Sequence, residues 1–125
     1  MDARTILIVD DDKDFLRGLG MRLKSDGYRV VGAADGVTAT SVALKEKPDL
    51  VLLDLGLPGG GGFMVLERMK ALLPLMTTPV IVVSARDPAA NSERALQAGA
   101  LAFLQKPVEN EVLLTAIRKA LGESP

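Results

Sequence analysis

Cysteine and histidine are both absent from this sequence of 125 residues. Without cysteine, disulfides and thiolate metal sites are excluded. Without histidine, the commonest general base and zinc ligand is missing. Neither sign of charge is in excess: 15 Lys and Arg against 16 Asp and Glu leave a formal charge of −1. Bulk electrostatics therefore give no reason to expect direct binding to nucleic acid. No apolar run approaches the ~18 residues of a membrane helix. The stretch from Ile6 to Val9, between Thr5 and three aspartates, is too short for a signal-peptide core. These absences describe a cytoplasmic protein with no membrane attachment. What is present is apolar content of 48%, well above that of a disordered chain. The length suits one domain over residues 1–125, with its core at about 4–121.

Four short apolar runs stand out: Ile6–Val9, Leu50–Leu53, Val80–Val83 and Leu101–Leu104, with a weaker one at Arg29–Val31. Unbroken β-branched and leucine runs of this length suit parallel strands buried on both faces. Helical patterns alternate with them. Phe15, Leu19 and Leu23 recur at four-residue spacing; a second helix spans about Asp35 to Glu46, with Val42 and Ala43 inward. The third carries Val65, Leu66 and Met69, and stops before Pro74. The fourth is short, ending with Ala95, Leu96 and Ala98 before Gly99, and the fifth carries Leu113, Ala116, Ile117 and Ala120. Gly27, Gly99 and Gly122 stand where helix C-terminal glycines are expected. Five strands alternating with five helices imply right-handed crossovers and helices on both sheet faces. The expected fold is α/β, a flavodoxin-like, doubly wound five-stranded parallel sheet in the order 2-1-3-4-5. Gly59 to Gly62 read as a loop.

The chemistry follows from where each apolar run stops. Strand one gives way to Asp10, Asp11 and Asp12, strand three to Asp54, strand four to Ser84 and strand five to Gln105 and Lys106. In a parallel sheet these ends share one edge, where ligands bind at the topological switch point. Asp10, Asp11 and Asp54 should converge, flanked by Ser84 and Lys106. Such carboxylates repel, so one should hold its proton more tightly unless a cation intervenes. An oxygen-only donor set points to Mg²⁺ or Mn²⁺. A hydroxyl, an ammonium and a hard cation suit the oxygens of a phosphoryl group, and a carboxylate can serve as its acceptor. Each feature has a plainer reading. The aspartate triplet can be a solvated turn, with Asp12 as a helix cap. It does not begin an EF-hand, because Phe15 and Met21 stand where the turn glycine and closing glutamate belong. Asp54 can cap a helix; Ser84 and Lys106 are individually unremarkable; and no phosphate-loop frame accompanies the glycines. The signals gain weight jointly, because all lie at one sheet edge.

In this order and spacing, the segments ILIVDDD (6–12), VLLDLGLPGGGGF (51–63), VIVVSARD (80–87), GALAF (99–103) and QKPV (105–108) resemble the receiver domain of bacterial response regulators, over nearly the whole chain. The resemblance implies that Asp54 is phosphorylated and that Asp10, Asp11, Asp54 and the backbone carbonyl of Gly56 hold the metal. Ser84 and Lys106 would then take phosphoryl oxygens, Phe103 would be the switch aromatic, and the Lys106-Pro107 bond would be cis. It implies a phosphohistidine donor on a histidine kinase or histidine phosphotransfer protein. It also implies a phosphoacceptor signalling domain rather than a dedicated enzyme, reshaping the face of the fourth helix, fifth strand and fifth helix. That face would contact an unknown output partner or support a weak dimer of an otherwise monomeric chain.

Two departures from the family pattern carry expectations. Residue 61 is Gly where the family often has Asp, which suggests a mobile glycine loop. Gly56 and Arg86 occupy positions that influence phosphoryl lifetime in the family, so Gly56→Met should change hydrolysis without abolishing phosphorylation. Two other functions compete: a phosphorylation-independent docking module, and a haloacid-dehalogenase-type phosphohydrolase with Asp10 as nucleophile and Asp12 as acid–base.

Overall fold

The computed structural model describes residues 3–58 and 61–123. Its elements alternate strictly: β1 Thr5–Val9, α1 Lys13–Ser25, β2 Arg29–Ala33, α2 Gly36–Glu46, β3 Leu50–Leu53, α3 Gly61–Ala71, β4 Val80–Ser84, α4 Pro88–Gln97, β5 Ala102–Gln105 and α5 Asn110–Ala120. All strand pairings are parallel, and the sheet order is β2-β1-β3-β4-β5. Successive strand residues point to opposite faces, so each apolar run feeds two cores. Leu7, Val9, Val51, Leu53, Val80 and Val82 pack under α2, α3 and α4, against Ala39, Ala43, Leu66, Met69 and Ala95. Ile6, Ile8, Leu50, Leu52, Ile81 and Val83 pack under α1 and α5, against Leu19, Leu23, Leu113 and Ile117. This two-sided demand is why β1, β3 and β4 are buried throughout while the edge strands β2 and β5 are not.

Local chemistry sets where the helices begin and end. The Asp12 carboxylate accepts from the amides of Asp14 and Phe15, and that of Asp35 from the amide of Thr38. Asp87 accepts from the amide of Ala89, with Pro88 opening α4. Each cap satisfies amides that the first turn leaves without a helical partner. Gly27 and Gly99 close helices with φ of 95° and 110°, conformations that favour glycine.

Two expectations need correction. Gly61 and Gly62, read as loop, form the first turn of α3, while Gly59 and Gly60 lie outside the described residues. Gly61 enters the helix with a left-handed φ of 79°; the reason for Gly62 is steric and appears below. Leu101 lies outside β5 and is 57% exposed, so the fifth strand sits one residue later than its apolar run. Leu96 lies on the last turn of α4, as expected, and is exposed there. Among the described residues, no helix is long and apolar enough to cross a membrane.

Candidate functional site

The site forms at the carboxyl edge of the sheet because β1 and β3 are neighbours there and stop in register, Val9 opposite Leu53. The Asp54 amide donates to the Val9 carbonyl at 2.9 Å, and the Asp10 amide to the Ala33 carbonyl at 3.0 Å. These bonds fix the two backbones at the point where the acidic side chains emerge. Asp10, Asp11 and Asp54 each present one carboxylate oxygen within 4.8 Å of the others. Opposite ligands on an octahedral ion with ~2.1 Å bonds lie ~4 Å apart, so the three oxygens could hold one ion with at most a small inward movement of the side chains.

The three carboxylates differ in setting. Asp11 is exposed and Asp54 is half-buried. Asp10 is only 2% exposed, and both of its oxygens are engaged. Oδ2 accepts from Lys106 Nζ at 2.6 Å, and Oδ1 from the Asp12 amide at 2.9 Å. Burial pushes the Asp10 carboxyl above the ordinary aspartate range; the Lys106 and Asp12 hydrogen bonds oppose this, and the Asp54 charge adds the least. One carboxyl does hold its proton more tightly, as expected, but desolvation outweighs repulsion as the cause.

Lys106 leaves the end of β5 with its amide donating to the Ser84 carbonyl at 2.8 Å. Its ammonium lies 4.1 Å from the centre of the Phe15 ring, a cation–π contact that supports it from below. The Lys106-Pro107 bond is cis. Ser84 is fully buried at the end of β4, and its Oγ accepts from the Arg86 amide at 3.2 Å. Phe103, on β5, is half-buried and packs against the core beneath α2, α3 and α4. Gly56 is exposed beside Asp54, and a Cβ there would lie 3.7 Å from Asp54 Oδ2. Its neighbours Leu55 and Leu57 are buried, at 0% and 7% exposure, and pin the loop on both sides of it.

Two supporting residues escape a reading of the sequence. Phe15 reads as an ordinary core position of α1, yet its ring carries Lys106. Gly62 reads as part of a loop, yet a Cβ there would meet the Asp54 carbonyl oxygen at 2.3 Å and Leu55 Cα at 2.6 Å. Its amide donates to the Leu55 carbonyl at 2.9 Å. The start of α3 is thus pressed onto the backbone of Asp54, an approach that only glycine permits. Leu55 and Leu57 did leave a signal, the alternation of apolar residues just after Asp54.

Oxygen donors converging beside a fixed ammonium and a buried hydroxyl invite comparison with known proteins. The sequence profile of the response regulator receiver domain matches residues 6–118. The transcriptional regulatory protein KdpE of Mycobacterium tuberculosis is 39% identical over 116 residues, covering 93% of this chain and 50% of KdpE. This chain therefore spans about half the length of that relative. The crystal structure of a CheY-like receiver domain protein from Methanospirillum hungatei superposes with a TM-score of 0.90 at 34% identity, covering 97% of this chain and 95% of that one. The receiver domain of a sensor histidine kinase from Pseudomonas aeruginosa, crystallised with a magnesium ion coordinated in its active-site cleft, gives 0.86 at 29% identity, covering 97% and 99%. Sheet order, acidic cleft and sequence profile agree: the chain belongs to the family of response regulator receiver domains of two-component signalling systems.

Proposed function

We propose that Asp54 accepts a phosphoryl group from a phosphohistidine on a histidine kinase or histidine phosphotransfer protein. The observation that carries this is the convergence of Asp10, Asp11 and Asp54 within 4.8 Å, beside the Lys106 ammonium. Asp54 suits the acceptor role because Asp10 is buried and engaged on both oxygens, whereas Asp54 is half-open beside a glycine. In the transfer, an Asp54 carboxylate oxygen attacks phosphorus and the phosphorus–nitrogen bond to the donor imidazole breaks. The donor histidine lies outside these 125 residues, which contain none.

The three carboxylates, with the Gly56 backbone carbonyl, would hold Mg²⁺ or Mn²⁺, a hard cation suited to oxygen donors. When bound, the ion supplies charge neutralisation at the phosphoryl oxygens. Lys106 holds its charge against Asp10 and within reach of the cleft, and turns to a phosphoryl oxygen once one arrives. Ser84 then exchanges the Arg86 amide for a phosphoryl oxygen, and Phe103 moves further into the space beside it. The α4–β5–α5 face, where Leu96 and Leu101 are exposed, changes shape and meets the output partner or a second copy of the chain. Phosphorylation achieves this only by favouring one of two existing states. The reading places the chain in the cytoplasm, with a signalling role and only self-catalysed phosphorylation and dephosphorylation.

A phosphohydrolase built on Asp10 and Asp12 fits less well. Asp12 is committed to capping α1, and Asp10 is covered by Lys106. The test is labelling with acetyl phosphate in the presence and absence of Mg²⁺. One acid-labile phosphate should map to Asp54, require the metal and vanish in Asp54→Asn. Multiple turnover of the donor without retained label would refute the reading, and so would unaltered labelling of Asp54→Asn.

A further inference from the structure

Beyond its core-facing side, α1 carries a second stripe. Lys13, Arg17, Met21 and Lys24 border a cleft of about 350 Å³ between α1 and β2, with Leu16 and Val30 among its apolar walls. Gly20 and Gly32 are among the residues that line this open cleft. Neither has a left-handed backbone, so neither is glycine for conformational reasons. A Cβ at Gly20 would meet only Val30 Cγ1, at 3.6 Å. One at Gly32 would meet only Leu16 Cδ2 at 3.8 Å and the Ile8 carbonyl oxygen at 3.9 Å. These are ordinary contacts. Glycine weakens both a helix interior and a strand, so two positions carry an unfavourable residue that the fold does not require. What their missing side chains create is open space.

The rim of that space has one sign of charge. Lys13, Arg17 and Lys24 make no ion pair among the described residues, as is true of most basic side chains of this chain; what distinguishes them is that all three border one cleft. Among the described residues, none of those lining the cleft is acidic, and Met21 stands 67% exposed beside it. We propose that the cleft docks an acidic amphipathic helix of a partner protein. The apolar walls and the adaptable methionine would take the partner's apolar face, and the three cations would meet its carboxylates. From Lys13 to Lys24 the rim runs ~16 Å, about three helical turns. That length suits an extended ligand rather than a compact nucleotide. One exposed methionine falls short of the apolar face that inserts into a bilayer, and three cations in one row fall short of a nucleic-acid footprint.

The probe is a synthetic peptide of about four helical turns, with leucine and alanine on one face and glutamate on the other. It is titrated into the ¹⁵N-labelled full chain. Amide shifts should map to residues 13–24 and 30–32. Arg17→Glu combined with Lys24→Glu should weaken binding about tenfold or more. Gly20→Leu, which fills the cleft, should do the same, and Gly32→Val fills it from the exposed edge should Gly20→Leu fail to fold. Absence of binding, shifts centred elsewhere, or unchanged affinity in the folded filled variant would each overturn the proposal. So would equal binding of the same peptide with lysine for glutamate, or tighter binding of phosphatidylglycerol vesicles or single-stranded DNA. Asp54→Asn should bind the peptide as the unaltered chain does, so this docking can fail while the phosphoacceptor reading stands, and the reverse.

Discussion

Asp10 shows how a single residue can be held in an unfavourable state for the sake of a site. Its carboxyl is buried, and its raised pKa means that the native state binds a proton more readily than the unfolded chain does. By linkage, the stability associated with such a group is fully present below its unfolded pKa of 3.8 and is lost as pH rises through the folded value. At pH 7 the ionised carboxylate therefore costs stability, even with Lys106 at 2.6 Å. Asp10→Asn should raise the metal-free thermal midpoint at pH 7 by a few degrees, and the gain should shrink as pH falls towards and below 3.8. Added Mg²⁺ should reverse the order of the two proteins, because only the original chain gains the full binding stabilisation. Calorimetry at several pH values, with and without Mg²⁺, reads both effects; a variant less stable than the original at pH 7 without metal would contradict the argument. The acidic cluster itself was legible in the sequence, because an apolar run that ends in a carboxylate marks the edge of a buried strand. The inequality among the three aspartates was not. It depends on Lys106 crossing from β5, a relation spanning 96 residues that no local pattern encodes.

At the scale of the element, two glycines in helices invite opposite outcomes. Gly20 lies within α1, where the nearest atom to an added Cβ is a valine methyl at 3.6 Å. Replacing glycine by alanine in a helix interior is worth ~0.8–1 kcal/mol in favour of the helix, so Gly20→Ala should be stabilising by about that amount in urea unfolding. Gly62 lies in the first turn of α3, where the same methyl would stand 2.3 Å from the Asp54 carbonyl oxygen and 2.6 Å from Leu55 Cα. Backbone atoms cannot yield as a side chain can. Gly62→Ala should therefore cost ~1–3 kcal/mol, the usual range for overpacking, and should slow acetyl phosphate labelling by displacing Asp54. Equal stability of the two alanine variants would show that the contact at Gly62 is relieved cheaply. The same pair marks the limit of reading elements from sequence. Strand and helix order followed from apolar runs of two-sided burial, and the glycine at the end of α4 from turn chemistry. The start of α3 did not follow, because four consecutive glycines signal a loop; Gly61 is glycine for its left-handed backbone, φ 79°, and Gly62 for its tertiary approach to Asp54, neither of which a local pattern shows.

For the molecule as a whole, the chain ends are tied together on the side of the sheet covered by α1 and α5. Arg4, before β1, donates from Nη1 to the Leu121 carbonyl at 3.0 Å, and its guanidinium lies 4.0 Å from Glu123. Tyr28, just before β2, donates its hydroxyl to Glu123 Oε1 at 2.7 Å. Segments 95 residues apart in sequence thus close over the bottom of one core, to which Tyr28 and Leu121 themselves contribute. Burial, with the adjacent Glu123 carboxylate, pushes the Tyr28 phenol from 10.0 up to about 12. A raised folded value contributes stability that is fully present below the unfolded pKa and disappears as pH climbs through the folded one. The clamp should therefore act at constant strength from neutral pH to about 10, then weaken towards about 12. Tyr28→Phe keeps the ring in the core and removes the hydroxyl, at a cost of ~0.5–1.5 kcal/mol for the lost hydrogen bond at pH 7, or somewhat more because its acceptor is charged. Measured by urea unfolding across pH 8 to 12, the difference between the two proteins should hold steady at first and close above pH 10, as the original chain loses what the variant never had. No difference between the two proteins at pH 8 would mean that Tyr28 stabilises the fold through its ring alone, and a difference that stays constant to the alkaline limit would mean that ionisation of the phenol does not release the bond to Glu123.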